Sequence, residues 1–195
     1  MIIDKHSAAV DTDFVNHVAE ITLTDPEPIK LLNSILTKAQ LNAIIHPLVY
    51  EHEILQDDRK ILKFFVEGVI AQPTFDDIFQ GNTDREAYYR YLFPELYNTL
   101  HGEAPFPPGC NILTYWKRKM SLGEIHSVTM CLVCGCGIFL SDDGDSKRLA
   151  QTVKQRAMGH IDVYNRSEIL TFSQKISGSN LPKKERRAFA HIIKD

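Results

Sequence analysis

Apolar positions in this chain fall into two recurring patterns, short continuous runs and longer stretches with helical spacing. Ala8-Ala9-Val10 is a short run closed by Asp11-Thr12-Asp13, which reads as a buried strand with acidic groups at its end. Helical spacing follows over 14–21. Thr24-Asp25-Pro26 reads as a helix start, with Ile29, Leu32, Leu36 and Ala39 as its apolar face, and Asn42-Ala43-Ile44-Ile45 as a second strand. Pro47 opens a helix that carries Leu48 to Leu55. Further along, 122–134 has helical spacing, and Gly137-Ile138-Phe139-Leu140 is a strand ending at Ser141-Asp142-Asp143-Gly144-Asp145. A helix over 147–158 stopped by Gly159, a strand at Ile161-Asp162-Val163-Tyr164, and a final helix capped by Asn180-Leu181-Pro182 and running through Ile193 complete the pattern. Strands alternating with helices predict an α/β sandwich with a mainly parallel central sheet. Ligands in such folds sit beyond the carboxyl ends of strands, where both acidic loops fall.

Over about 57–119 the pattern changes. Helical pieces alternate with breakers at Gln72-Pro73, Gly81-Asn82 and Pro105-Phe106-Pro107-Pro108-Gly109, which reads as a helical insertion in a single domain spanning 1–195. Its aromatic residues Tyr88, Tyr89, Tyr91, Phe93 and Tyr97 could stack on bases, but such clusters more often pack onto the main body.

Composition adds three constraints. Apolar residues at 44% and charged residues at 24% are ordinary for a soluble protein, and no stretch approaches the roughly 20 apolar residues of a membrane helix. The opening residues lack the pattern of a secretory signal, so a cytoplasmic setting is expected. Cys131, Cys134 and Cys136 invite a zinc reading. A structural zinc site usually pairs two dyads across a loop, however, whereas these lie in the apolar run 128–140, where buried thiols pack well. The net charge of −3 is uneven. Residues 1–115 hold 8 Lys and Arg against 17 Asp and Glu, a net of −9, while 116–195 hold 14 against 8, a net of +6. Acidic groups beside a basic track suit a phosphodiester substrate, although differently solvated faces give the same imbalance.

Cleaving a phosphodiester in water calls for an activated water and stabilisation of charge on phosphorus. Hard Mg²⁺ or Mn²⁺ supplies both and takes oxygen ligands. Asp11 directly follows a strand, and Asp13 would point elsewhere if that strand continued, so Asp11 is the preferred ligand; either could instead cap the next helix. Glu124 follows Ser121 at capping-box spacing, which alone would account for it, but it is also the first charged residue of a helix otherwise apolar to Cys136. Asp142, Asp143 and Asp145 place three acids in four residues, more than a turn requires. Glu51 and Glu53 lie about 200° apart on a helix, so at most one faces the site, and Glu53 is preferred.

Other templates fit less well. His52-Glu53 begins a zinc-peptidase motif, but Gln56 stands where the second histidine belongs, and neither a phosphate-binding glycine loop nor a Gly-x-Ser-x-Gly elbow is present. His126, two residues from Glu124, is expected to be a packed side chain. A haloacid-dehalogenase-type phosphatase also begins with strand-Asp-x-Asp and could use Lys147, but His46-Pro47 occupies its Ser/Thr position.

In order and context these residues resemble the PIN-domain ribonuclease family, including its VapC-like toxins. Val10-Asp11-Thr12-Asp13-Phe14 resembles the family's first motif, Leu122-Gly123-Glu124-Ile125-His126-Ser127 its Gly-Asp/Glu helix start, and Phe139-Leu140-Ser141-Asp142-Asp143 its apolar-Ser/Thr-x-Asp motif. The Glu of the family's second helix maps to Glu53, or less well to Glu51. The resemblance runs from about Ala8 to the end, excluding 57–119. It implies a PIN-like α/β/α sandwich and a single-stranded RNA endonuclease using Mg²⁺ or Mn²⁺. Asp11, Glu124 and Asp143, with Asp145 beside them, would hold metal and Glu53 would assist. Thr12, Asp13, Ser141 and Asp142 would support these groups. It further implies an antitoxin or immunity-type partner and allows a homodimer. A non-catalytic PIN-like RNA- or protein-binding module is the alternative, with basic runs at Trp116-Lys117-Arg118-Lys119 and Lys183-Lys184-Glu185-Arg186-Arg187 to track phosphates.

Overall fold

The computed structural model describes residues 1–21, 27–57, 61–102, 105–117 and 120–190. The expected helix start at Thr24-Asp25-Pro26, Arg118 and Lys119 of the first basic run, and the end of the final helix at Ile193 lie outside the described residues.

Four strands, β1 (Ser7–Val10), β2 (Asn42–Ile44), β3 (Ile138–Leu140) and β4 (Asp162–Tyr164), form one sheet in the order β2-β1-β3-β4, with every pairing parallel. An isolated parallel bridge between Ile44 and Ala71 extends the β2 edge. The strands are short and apolar because both faces are covered. Ala8, Val10, Ala43, Ile138 and Leu140 face one core, and Ala9, Ile44 and Phe139 the other. The first core is closed by α1 (Thr12–Ala19), α2 (Glu27–Ala39), α4 (Ile61–Val69), α9 (Arg166–Ser177) and α10 (Lys183–Ala190). The second is closed by α5 (Phe75–Phe79), α6 (Thr83–His101), α7 (Leu122–Cys134) and α8 (Gly144–Gln155). The α/β/α sandwich with a parallel sheet is therefore the observed architecture.

Between β2 and α4, α3 (Pro47–Val49) widens into a π-helical turn, Tyr50–Ile54, in which the Leu55 amide donates to the Tyr50 carbonyl at 2.9 Å. Such turns are uncommon and concentrate at functional sites.

The section 57–119 is woven into both layers. From α4, Leu62, Phe65 and Val66 pack with α1 and α2 in the first core, while Tyr89, Leu92, Phe93, Leu96 and Tyr97 of α6 pack with α7 in the second. Of the aromatic cluster, Tyr88 and Tyr91 remain exposed.

Two helix starts differ from the sequence reading, and one helix adds to it, for local reasons. α1 starts at Thr12 because the Asp11 carboxylate accepts from the Thr12 amide, and α8 starts at Gly144 because Asp143 caps it through the Asp145 amide. Helix α9 was not expected at all, although Asn165 and Glu168 form a reciprocal capping box at its start.

Buried polar groups in the second core form a directed chain. The Leu48 amide donates to His46 Nδ1 at 3.2 Å, so the His46 proton sits on Nε2 and is donated to Tyr89 Oη at 2.9 Å. The Tyr89 hydroxyl then donates to His126 Nδ1 at 2.7 Å, and His126 Nε2–H donates to the Tyr115 carbonyl at 3.2 Å. Burial, with His126 beside it, holds His46 well below its ordinary pKa; burial likewise pushes His126 down to about 3, against the Tyr115 bond. Both rings are neutral, as this pattern requires. Tyr89→Phe would strip an acceptor from His46 and a donor from His126. It is expected to cost about 2 kcal/mol, read as a lower urea midpoint with an unchanged slope.

Candidate active site

The register of the β1–β3 ladder builds the site. Val10 pairs with Leu140, so Asp11 and Ser141 leave the sheet as neighbours, and Ser141 Oγ donates to Asp11 Oδ2 at 3.0 Å. Ser146 Oγ donates in turn to Ser141 Oγ at 2.8 Å. Asp11 is buried, with its other oxygen accepting from the Thr12 amide at 2.8 Å. It both caps α1 and faces a cavity of about 530 Å³, whose walls include Thr12, Asp13, Glu53 and Glu124.

Glu53 reaches the cavity from the π turn, while Glu51 is exposed and absent from its walls. Gly123 makes room for it, since a Cβ at this position would stand 3.0 Å from Glu53 Oε1. The capping box that the spacing of Ser121 and Glu124 would allow does not form. Ser121 adopts φ 42°, in the left-handed region, caps nothing with its side chain, and donates instead to Asp145 Oδ2 at 3.3 Å. Freed from that task, Glu124 lines the cavity. Asp13 also lines it, because the chain turns into α1 at Thr12 and strand alternation no longer applies.

These carboxylates sense one another. Burial raises Asp11 well above the usual carboxylate range, with Glu124, Glu53 and Asp13 adding repulsion and the Ser141 bond opposing. Burial pushes Glu124 up to about 7, against its own backbone amide and helped by Asp143, Glu53 and Asp13. Glu53 is raised by burial and by Asp13, with the Thr12 hydroxyl opposing. Asp13 is raised by burial, with His17 opposing and Asp143 and Asp142 adding to the shift. Asp143 caps α8 and is not a wall of the cavity, but its charge adds to the repulsion on Asp13 and Glu124.

The other two acids of the loop are otherwise engaged. Asp142 accepts from the buried Arg166 through its amide at 3.2 Å and its Nε at 2.8 Å, and contacts His17 Nδ1 at 2.8 Å. Its charge is balanced by Arg166, not left for a cation, and it anchors α9 to the loop. Asp145 takes the Ser121 hydroxyl, lies 3.7 Å from Arg148 Nη1 and is not a wall of the cavity. Among the described residues, no Lys or Arg forms an ion pair with Asp11, Asp13, Glu53, Glu124 or Asp143.

Apart from the His52 imidazole, which stacks on Trp116, the donors at the cavity are mainly carboxylate and hydroxyl oxygen, the preference of a hard divalent cation. Among the described residues no group of three or more His, Cys, Asp or Glu side chains stands ready to hold an ion by direct ligation. Mg²⁺ commonly uses one or two carboxylates and keeps several waters, so a looser acidic ring suits it. Elsewhere, Cys131, Cys134 and Cys136 are free and buried, burial pushes the Cys134 thiol up to about 12, and Lys147 is held by Glu168 at 2.8 Å. The sequence reading passed over His52 and Trp116 as cavity walls; Trp116 beside Lys117 was the only local signal for either.

No protein-family model, curated protein or solved structure matches the chain.

Glu124 titrates ordinarily at 4.5 and here at about 7, so between these values the folded protein holds a proton that the unfolded chain has released. Stability of the cation-free protein is therefore expected to fall as pH rises through that window, with Asp11 acting in the same direction. Thermal melts across pH check this: Glu124→Gln should flatten the slope, and Mn²⁺ should raise Tm more at about pH 8 than at about pH 5.5. Gly123→Ala should fold with unchanged or higher stability, since alanine favours a helix by about 1 kcal/mol. Because its methyl crowds Glu53, it should shrink the Tm gain from Mn²⁺.

Proposed function

We propose that this protein is a metal-dependent endoribonuclease of the PIN type, hydrolysing phosphodiester bonds of single-stranded RNA with Mg²⁺ or Mn²⁺. One observation carries the reading. Acids from four separate stretches of chain, at the end of β1, in the π turn, at the start of α7 and after β3, share one edge of a parallel sheet with no described basic side chain paired to them. Structural carboxylates are normally paired or solvated, whereas buried, mutually repelling ones are characteristic of functional sites.

Asp11 and Glu124 at the cavity wall, together with Asp143, would hold the cation partly through its waters, with the exposed Asp13 also at the wall. A divalent ion bound there supplies charge neutralisation at the scissile phosphate and acidifies water. The residues' own tasks follow from their partners. Ser141 and the Thr12 amide fix the two oxygens of Asp11, so one carboxylate orientation is held before substrate arrives. Glu53, with its raised pKa, is suited to take a proton from the attacking water, the departing ribose oxygen taking up a proton as the P–O bond breaks. Lys117, exposed at the cavity, offers a positive charge to the phosphate backbone.

We place this activity in the cytoplasm, which suits the four free thiols. No helix among the described residues is long and apolar enough to cross a membrane.

The test incubates purified protein with total RNA and Mn²⁺ and compares wild type with Asp11→Asn and Asp143→Asn. Wild type should degrade RNA and lose activity with EDTA. Each variant should be slower by about 100-fold or more, the scale of several kcal/mol of lost electrostatic stabilisation. Equal degradation by all three proteins would overturn the site assignment, and no degradation by wild type would overturn the activity.

A further inference from the structure

Hydrolysis needs only carboxylates, water and a cation, yet the same cavity is walled by an aromatic pair. His52 and Trp116 both line it, and their rings stack with centroids 4.9 Å apart and an interplanar angle of 18°. Both side chains are half-buried. Trp116 also lies 6.2 Å from the buried His126 ring at an interplanar angle of 11°, and His126 is itself fixed by Tyr89 and the Tyr115 carbonyl. The pair is thus the outer end of a column of nearly parallel rings, held from inside the core. His52 is shared with a second, largely apolar groove of about 750 Å³, walled by Pro47, Tyr50, Leu55, Phe75 and Leu113 among others. In sequence it is the residue before Glu53, so one turn of chain presents a ring and a reacting carboxylate together.

We infer that the His52–Trp116 pair is a stacking platform for a nucleobase of the RNA substrate, and that it confines the site to nucleotides outside a duplex. The inference rests on the endoribonuclease reading and adds what holds the substrate. An acidic cavity repels a polyanion, and Lys117 is the one basic wall of that cavity among the described residues, so an attraction independent of charge is needed. Stacking provides it and accepts any base, because every base has a π face. In a duplex both faces of a base are covered by its neighbours, so only an unpaired, splayed base can lie on a protein ring. The apolar groove beyond His52 receives the adjoining nucleotide.

Trp116 is the chain's single tryptophan, so its fluorescence reports on the platform directly. Asp11→Asn protein with Mn²⁺ is titrated with a short mixed-sequence oligoribonucleotide, single-stranded or annealed to its complement. The single strand should quench Trp116 saturably and the duplex should not. In the same background His52→Ala should weaken single-strand binding about tenfold or more, the scale of one lost base stack. His52→Phe, which keeps a ring, should restore it, an outcome that a merely structural role would not produce. Equal quenching by duplex and single strand, or equal affinity for Ala, Phe and His at position 52, overturns the platform. Quenching without any Mn²⁺-dependent cleavage by wild type keeps the platform and removes the nuclease. Cleavage with neither quenching nor dependence on residue 52 does the reverse.

Discussion

Asp11 and Ser141 emerge side by side because Val10 and Leu140 are partners in the β1–β3 ladder, and the acidic edge of the molecule is built around that register. A slip of one residue would turn every strand side chain to the opposite face, exchanging the contents of the two cores as well as separating the serine from its carboxylate. The register is held by burial on both faces. Ala8 and Val10 are locked into one layer and Ala9 into the other, as are Ile138 and Leu140 against Phe139.

That rigidity is what lets like charges be neighbours. Burial raises the proton affinity of Asp11, Asp13, Glu53 and Glu124, and repulsion from neighbouring acids, among them Asp143, adds to the effect, so the site costs stability in the absence of a cation or bound protons. Other local features carry part of the same load. Arg166 pairs with Asp142 and offsets part of that acid's charge, and Ser121 accepts a left-handed backbone at the start of α7. Gly123 gives up a side chain so that Glu53 can approach, and the π turn redirects Glu53 while leaving Glu51 in solvent. Broken local rules gathered at one edge of an otherwise regular sandwich are typical of a functional site.

The second core carries polar groups of a different kind. His46, Tyr89 and His126 exchange hydrogen bonds in one direction, every donor finding an acceptor, so the chain is stable only when both imidazoles are neutral. Stacking continues from this network through Trp116 to His52 at the cavity wall. The layer that supports the sheet thereby also supports the ring pair.

Much of this was legible in the chain itself. Short apolar runs ending in Asp11 and in Ser141-Asp142-Asp143, separated by helical periods, were enough for an α/β sandwich with a parallel sheet and for acids at the carboxyl ends of its strands. The start of helix α9 is legible too, in the Asn165 and Glu168 capping box. What the chain could not disclose was pairing at a distance. Asp142 and Asp143 are adjacent and chemically alike, yet one is paired with Arg166 and the other caps α8 with no described basic partner. Ser121 and Glu124 have capping-box spacing, yet the serine bonds to Asp145 and the glutamate turns to the cavity. Trp116 and His52 lie 64 positions apart with no shared motif, and only the packing of the π turn against the α7 layer stacks them. Periodicity and strand-end chemistry are local and therefore written in the sequence, whereas the partner of a charge or a ring is whatever the folded layers bring within a few ångströms, and that was decided by tertiary structure alone.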